Sequence, residues 1–306
     1  MAQVTRSRRA AARILTAVSR GRRLDLAFHS AAGSLSPQDR RFVQELTYGT
    51  LRYRGRLDHL LDLHLHRGIG SVSSQVLDLL RLGSYQLFHM DSVPGYASVS
   101  QTVDQIREVA GKGGARLANG VLRSLLREGG GRERFPALDT DPEGHLSTWG
   151  SHPRWLIQRW LRRWPVEEVV ELVAANNRPA PLFFRPIGRG LAEARQALFR
   201  HGWEAEEAGP GVPCLRLEDG IDPAQIMETV PGIIQDPGAA LVPVYADFSR
   251  DGPVGDLCAA PGGKALALAE SGIYVLAADR SFRRLGLVRE NAARLGGRID
   301  LGGALA

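Results

Sequence analysis

Apolar positions in the first 128 residues recur three and four apart, with no strand-like alternation, the spacing of helices that each bury one face. Ala10, Ile14, Leu15 and Val18 form a stripe that runs on into Leu24, Leu26 and Phe28, which predicts one N-terminal helix of a folded domain. Ser36-Pro37-Gln38-Asp39 announces a second helix: a capping hydroxyl, a proline at the first helical position, and an acid over the positive helix end. Phe42, Val43 and Leu46 give that helix its core side. Val76, Leu77, Leu80, Tyr85 and Leu87 mark another, Pro94-Gly95 a turn, and Val99, Val103, Ile106 and Val109 the helix after it. Gly111, Gly113 and Gly114 break the pattern before Leu117, Val121, Leu122 and Leu125 complete a last helix. Residues 1–130 thus read as an all-helical domain.

The pattern then changes. Residues 131–150 are polar, acidic and rich in turn formers, and read as a linker. In 151–248, "SHPRWLIQRWLRRWP" at 151–165 predicts a helix, and the short apolar runs "PLFFRPIG", "CLRLE" and "GIIQD" predict strands around a helix at 190–201, a small α+β module. From 249 onward, apolar residues ending in Leu257-Cys258 form a strand, a glycine-containing loop leads into a helix opening at Lys264, and "IYVLAAD" is a buried strand ending in an acid. That is the opening of a parallel α/β sheet. Two strands and the start of a third at 298–301 fit before Ala306, so the expected Rossmann-like domain over 249–306 is incomplete, with an apolar edge left open.

Composition adds a partner. The hydrophobic fraction is 43% and the charged fraction 24%, ordinary for folded domains. The net charge is +6, and the first 67 residues alone hold thirteen basic against five acidic side chains; a local field of that sign attracts a polyanion, so RNA is the expected partner. Arg8, Arg9 and Arg13 on the first helix are candidate contacts, as are Arg154, Arg159 and Arg163, which stand with Arg162 among Trp155, Trp160 and Trp164. Stacking plus charge can hold RNA, and tryptophans at this spacing also serve a core or a domain interface. Seven arginines precede Asp25, as in a transit peptide, but the apolar stripe through them favours a folded helix, and Arg13 and Arg20 interrupt any secretory signal.

Two cysteines, Cys214 and Cys258, allow neither a disulfide framework nor a thiolate zinc site, which points to a reducing, cytoplasmic setting. No apolar run approaches the roughly 20 residues of a membrane helix. His59, Asp62, His64 and His66 alternate with Leu60, Leu61, Leu63 and Leu65, the pattern of a solvated helix edge, so no metal and a monomer are expected.

The chemistry lies in 256–279. A strand, a loop through Ala259-Ala260-Pro261-Gly262-Gly263 and a helix beginning at Lys264 set backbone amides and a positive helix end before a ligand. One strand later Asp279 is placed to accept hydrogen bonds from ribose hydroxyls. A phosphate-binding Walker loop requires glycine at Cys258 and Ser or Thr at Ala265, and no G-x-G-x-x-G is present. What remains is S-adenosylmethionine, whose methionine end carries a carboxylate and an amine.

"DRRFVQELTYGTLR" at 39–52, "LRLGSYQLF" at 80–88 and "LANGVLRSLLRE" at 117–128 resemble the helical fold of NusB, an RNA-binding antitermination factor. "DLCAAPGGKA" at 256–265 resembles the cofactor motif of the NOL1/NOP2/Sun family of RNA m5C methyltransferases. "SHPRWL" at 151–156, "AANNRPAP" at 174–181 and "IIQDPGAALV" at 233–242 resemble the segments before that motif in the Sun type, which acts on 16S rRNA. The likeness implies cofactor contact by Cys258, Ala259, Ala260, Pro261, Gly262, Gly263 and Lys264, ribose contact by Asp279, and Cys258 as a small buried residue under the cofactor. Two positions depart from the family: Ala265 where threonine is usual, and Gly303 where a second acid is expected. In the family the Pro-Cys and Thr-Cys catalytic motifs lie on strands later than those read here, and Cys214, which follows Pro213 at a strand start with no His or Lys beside it, is not taken for one; no residue is assigned a catalytic role and the 306-residue chain is expected to be inactive alone. The alternative is a non-catalytic, antitermination-like RNA-binding protein with a vestigial methyltransferase segment.

Overall fold

Thr5 accepts the amide of Arg8 and opens α1 (Arg6–Ser19). In the computed structural model, which describes residues 4–218, 221–249 and 251–295, the chain divides into two compact units, residues 1–179 and 180–306. The expected single N-terminal helix is two. The amides of Gly21 and Arg22 fold back onto the carbonyls of Val18 and Ala17, a capping arrangement that closes α1, and α2 (Leu24–Ala32) starts afresh. α3 (Pro37–Arg52) begins as expected, with the Asp39 amide donating to Ser36 Oγ at 3.1 Å. α4 (Arg54–Asp62), α5 (Ser74–His89) and α6 (Gly95–Glu128) complete the first bundle, and α6 is kinked at Gly111. Ile14, Leu46, Leu57, Leu80, Ile106 and Leu122 are fully buried in its core. Arg81 is buried with them and is held by Asp58 at 2.6 and 2.9 Å and by Asp78 at 2.8 Å, so the guanidinium does not stand unpaired in an apolar interior.

Residues 131–150, expected as a linker, are instead folded onto this bundle. Asp141 caps α7 (Pro142–Thr148), with Gly144 N donating to its Oδ1 at 2.8 Å and Pro142 in the first turn. Phe135 is buried and stacks on His59 with ring centroids 4.8 Å apart. Arg56 lies 3.7 Å over the Trp149 ring and donates twice to the Trp149 carbonyl, at 2.9 and 2.8 Å. α8 (Arg154–Leu161) and α9 (Val166–Asn176) close around Leu146 with Ile157, Val169 and Val173. Residues 151–179 pack with the first unit in the structure.

The second unit is built on an antiparallel sheet of order β2-β3-β1-β4: β1 (Phe183–Pro186), β2 (Ala205–Glu207), β3 (Leu215–Leu217) and β4 (Gly232–Ile234). β2 lies outside the three expected strands; its alternation covers three residues, two of them glutamates. One face packs Phe184, Leu215 and Leu217 against α10 (Leu191–Arg200) and α11 (Pro223–Thr229) through Ala194, Leu198 and Ile226. Side chains alternate along a strand, so Arg185 and Ile233 face the other way. There the sheet meets α13 (Gly263–Glu270): Arg185 pairs with Glu270 at 2.5 Å and Ile233 clusters with Leu266. This joint is why the segment from 249, expected as a third domain, shares a unit with the sheet. α12 (Pro237–Ala246) leads to β5 (Val254–Asp256), and β6 (Val275–Ala277) follows α13 and precedes α14 (Phe282–Arg294). β5 and β6 pair in parallel. The expected third strand at 298–301 and Gly303 lie outside the described residues.

Two outcomes follow from the first unit. Arg56→Ala should lower stability by about 2 kcal/mol, from its cation–π contacts to Tyr53 and Trp149 and its hydrogen bonds, and speed amide exchange across 142–149 in hydrogen–deuterium exchange. His89 stacks between Tyr53 at 4.6 Å and Tyr85 at 5.0 Å, and burial, aided by Arg56, pushes its pKa down to about 4. The folded state therefore favours neutral His89, and its contribution is present above pH about 6.5 and is lost as pH falls towards 4. Urea unfolding at pH 7 and pH 4.5 should show a loss that His89→Leu reduces; burial lowers the pKa of His64 as well, so a smaller loss remains.

Candidate cofactor site

The register Val254↔Val275, Gly255↔Leu276 and Asp256↔Ala277 brings the carboxyl ends of β5 and β6 level, so the loops after them meet. Two backbone bonds join those loops: Ala278 N donates to Asp256 O at 2.8 Å and Ala259 N to Ala278 O at 2.9 Å. Asp256 Oδ1 also accepts the Cys258 amide at 3.2 Å. The chain then turns at Gly262, whose φ of +112° is a conformation only glycine adopts without strain, and enters α13. The sequence placed this start at Lys264; it is one residue earlier. The amides of Gly263, Lys264 and Ala265 have no acceptor among the described residues, which leaves three donors at a positive helix end. Ala259, Ala260 and Gly262 are buried, Gly263 is half-buried, and Pro261 and Lys264 are exposed.

Asp279 is buried two residues past β6, and its Oδ1 accepts the Ser281 amide at 3.0 Å. Its second oxygen lies 3.8 Å from Arg284 Nη1. The structure thus brings Asp279 and the loop together at one end of the parallel pair. Cys258 is a correction: expected as a buried packing residue, it is exposed, because the loop turns outward after Asp256 and buries Ala259 and Ala260 in its place. Sequence reasoning also missed three residues around the loop. Arg284 Nη2 donates to Ala260 O at 2.9 Å, Asn291 Nδ2 donates to Pro261 O at 3.0 Å, and the buried Gln235 amide packs against Gly263. The spacing of seven between Arg284 and Asn291, two turns on one face of a helix after the acidic strand end, was the signal available for the first two.

The candidate RNA residues divide. Arg8 donates to Gln86 at 2.7 Å and lies over Phe42, and Arg9 makes a two-pronged pair with Glu108 at 2.7 Å. Arg154 is paired with Glu143. Arg13, Arg159 and Arg163 are exposed, and Arg13 lines a cavity of about 420 Å³ with Arg20, Gln75 and Gln105. Of the three tryptophans, Trp160 packs with Ile157 and Leu146, while Trp155 is 63% exposed and Trp164 40%. His59 Nε2 bonds to Arg134 O at 2.9 Å and His64 sits 3.6 Å from Glu128. Among the described residues no group of three or more His, Cys, Asp or Glu is placed to hold a metal, and no helix is long and apolar enough to cross a membrane.

The thiols give a direct check on the loop. Cys214 is buried, and burial pushes its pKa up to about 11, whereas Cys258 is open to solvent. Ellman's reagent should modify Cys258 alone in the native protein and reach Cys214 only on unfolding; mass mapping of the labelled peptide reads the result.

Known proteins match this arrangement in order. The NusB family profile matches residues 5–127, and that of the ferredoxin-like domain of RsmF/B-like methyltransferases matches 152–222. A probable ribosomal RNA small subunit methyltransferase B of Bacillus subtilis is 31% identical over 273 residues, covering 87% of this chain and 60% of that one. A ribosomal RNA small subunit methyltransferase B of Pseudomonas putida is 34% identical over 305 residues, covering 94% of this chain and 66% of that one. The chain thus spans 60 to 66% of the length of these relatives. The crystal structure of PH0851 shares the fold, with a TM-score of 0.71 at 16% identity over all of this chain and 70% of that one. With a NusB-type helical domain, an RsmF/B-type segment and these relatives aligned along most of its length, the chain belongs to the ribosomal RNA small subunit methyltransferase B (Sun) family.

Proposed function

We propose that the chain carries the RNA-binding and cofactor-binding parts of an S-adenosylmethionine-dependent methyltransferase that modifies cytosine C5 in 16S rRNA, acting as a cytoplasmic monomer. The observation that carries this reading is the meeting of the 258–264 loop and buried Asp279 at the carboxyl ends of two parallel strands. Gly263, Lys264 and Ala265 offer amides to the carboxylate of the methionine end, and the Asp279 carboxylate accepts the ribose hydroxyls. Exposed Lys264 adds a positive charge at the same end. Bound S-adenosylmethionine supplies an electrophilic methyl group.

Methylation at C5 needs a thiolate added at C6 of the cytosine, which makes C5 nucleophilic, and a base that later removes the C5 proton. Neither cysteine here is assigned that part: Cys214 is buried with a raised pKa, and Cys258 belongs to the cofactor loop. The first unit supplies RNA contacts, with Arg13 exposed on α1 and Arg159 and Arg163 exposed in the same segment as the exposed Trp155 and Trp164, charges and rings suited to phosphates and unstacked bases.

Equilibrium binding of S-adenosylmethionine tests this. The wild-type chain should bind it, and Asp279→Ala should weaken binding at least about tenfold, as expected for lost hydrogen bonds to a charged acceptor. The 306-residue chain should transfer no methyl group to 16S rRNA by itself. Salt-sensitive RNA binding with no cofactor affinity at millimolar concentration would overturn the reading in favour of an antitermination-like RNA-binding protein.

A further inference from the structure

The loop carbonyls, rather than its amides, carry one more step. In a helix each amide donates to the carbonyl four residues earlier. Extended backward by one turn, α13 would bond Lys264 N to Ala260 O and Ala265 N to Pro261 O. Neither bond forms. Those two carbonyls are taken from the side by α14, Ala260 O by Arg284 Nη2 at 2.9 Å and Pro261 O by Asn291 Nδ2 at 3.0 Å.

We infer that Arg284 and Asn291 are positioning residues that hold the Ala260 and Pro261 carbonyls away from the start of α13, so that the Lys264 and Ala265 amides stay free for the carboxylate end of the cofactor. The inference rests on the cofactor reading above. Two neighbours set the geometry of the clamp. Arg294 Nη2 donates to Asn291 Oδ1 at 3.2 Å, which turns the Asn291 amide nitrogen towards the loop. Asp279 lies 3.8 Å from Arg284, so a single guanidinium touches both the methionine side and the ribose side of the site. Among the described residues the Asn291 side chain hydrogen-bonds to Pro261 O and Arg294 and not to Asp279, which makes it the cleaner residue to change.

The clamp predicts a selective defect. S-adenosylhomocysteine carries the carboxylate and amine; 5′-methylthioadenosine has the same nucleoside without them. Both are titrated calorimetrically into the 306-residue chain and into two variants. Asn291→Asp keeps the shape and the acceptor for Arg294 but loses the donor to Pro261 O, and Asn291→Leu removes both without adding charge. Each variant should bind S-adenosylhomocysteine about tenfold more weakly, the scale of one lost polar contact, and bind 5′-methylthioadenosine within about twofold of wild type. Unchanged S-adenosylhomocysteine affinity in both variants, or an equal fall for both ligands, would overturn the clamp while leaving the cofactor reading intact. A wild-type chain that binds neither ligand would overturn the cofactor reading itself, and the clamp with it.

Discussion

Parallel pairing of β5 and β6 is the constraint on which the site depends. Two parallel strands cannot be joined by a hairpin; the chain must return to the starting end through a crossover, here α13. The crossover fixes where a helix begins relative to where a strand stops. With Asp256 level with Ala277, the first turn of α13 and the acid after β6 are forced to the same end of the pair, although the rest of α13 and all of β6 lie between them in sequence. The pair is short, and the backbone bonds between Asp256, Ala259 and Ala278 extend the ladder into the loops. Helix α13 is in turn held on the antiparallel sheet at its far end by the Arg185–Glu270 ion pair and along its length by Ile233 and Leu266. The helix that carries the free amides is thereby fixed on the antiparallel sheet.

Much of this was legible in the sequence because it is local. The Ser36 cap, the core stripes of α3 and α5, most of that of α6 (Val109 and Leu117 are exposed), the break at Gly111 and the strand-loop-helix order of 254–270 follow from residue types within a few positions of one another. What was not legible depended on tertiary partners. Residues 131–150 are polar in composition, yet Phe135 is drawn into the helical unit by His59 and Trp149 by Arg56, across sequence gaps of 76 and 93 residues; the Asp141-Pro142 cap was the one local sign. β2 is too short for its alternation to register, and its pairing is decided by β3. The division of 1–19 from 24–32 turned on two backbone bonds at Gly21 and Arg22.

The candidate site shows the same division. Its loop and Asp279 were found from residue types and spacing, but the exposure of Cys258 and the hold of Arg284 and Asn291 on the loop were not. Both concern the direction of backbone groups, and residue type says little about which way a carbonyl points. The basic residues followed the same rule: Arg8, Arg9 and Arg154 looked equivalent to Arg13, Arg159 and Arg163 until Gln86, Glu108 and Glu143 were seen to engage the first three. A charge already paired within the protein has less to offer a phosphate than one facing solvent.

The central claim is that the nucleoside cofactor is held where the carboxyl ends of β5 and β6 meet. Hydrogen–deuterium exchange of the 306-residue chain with and without S-adenosylhomocysteine tests it most directly. The account predicts slowed exchange confined to peptides covering 258–266 and 276–285, with residues 4–179 unchanged. Protection that appears only in the helical unit, or no change at the loop under saturating ligand, would contradict it.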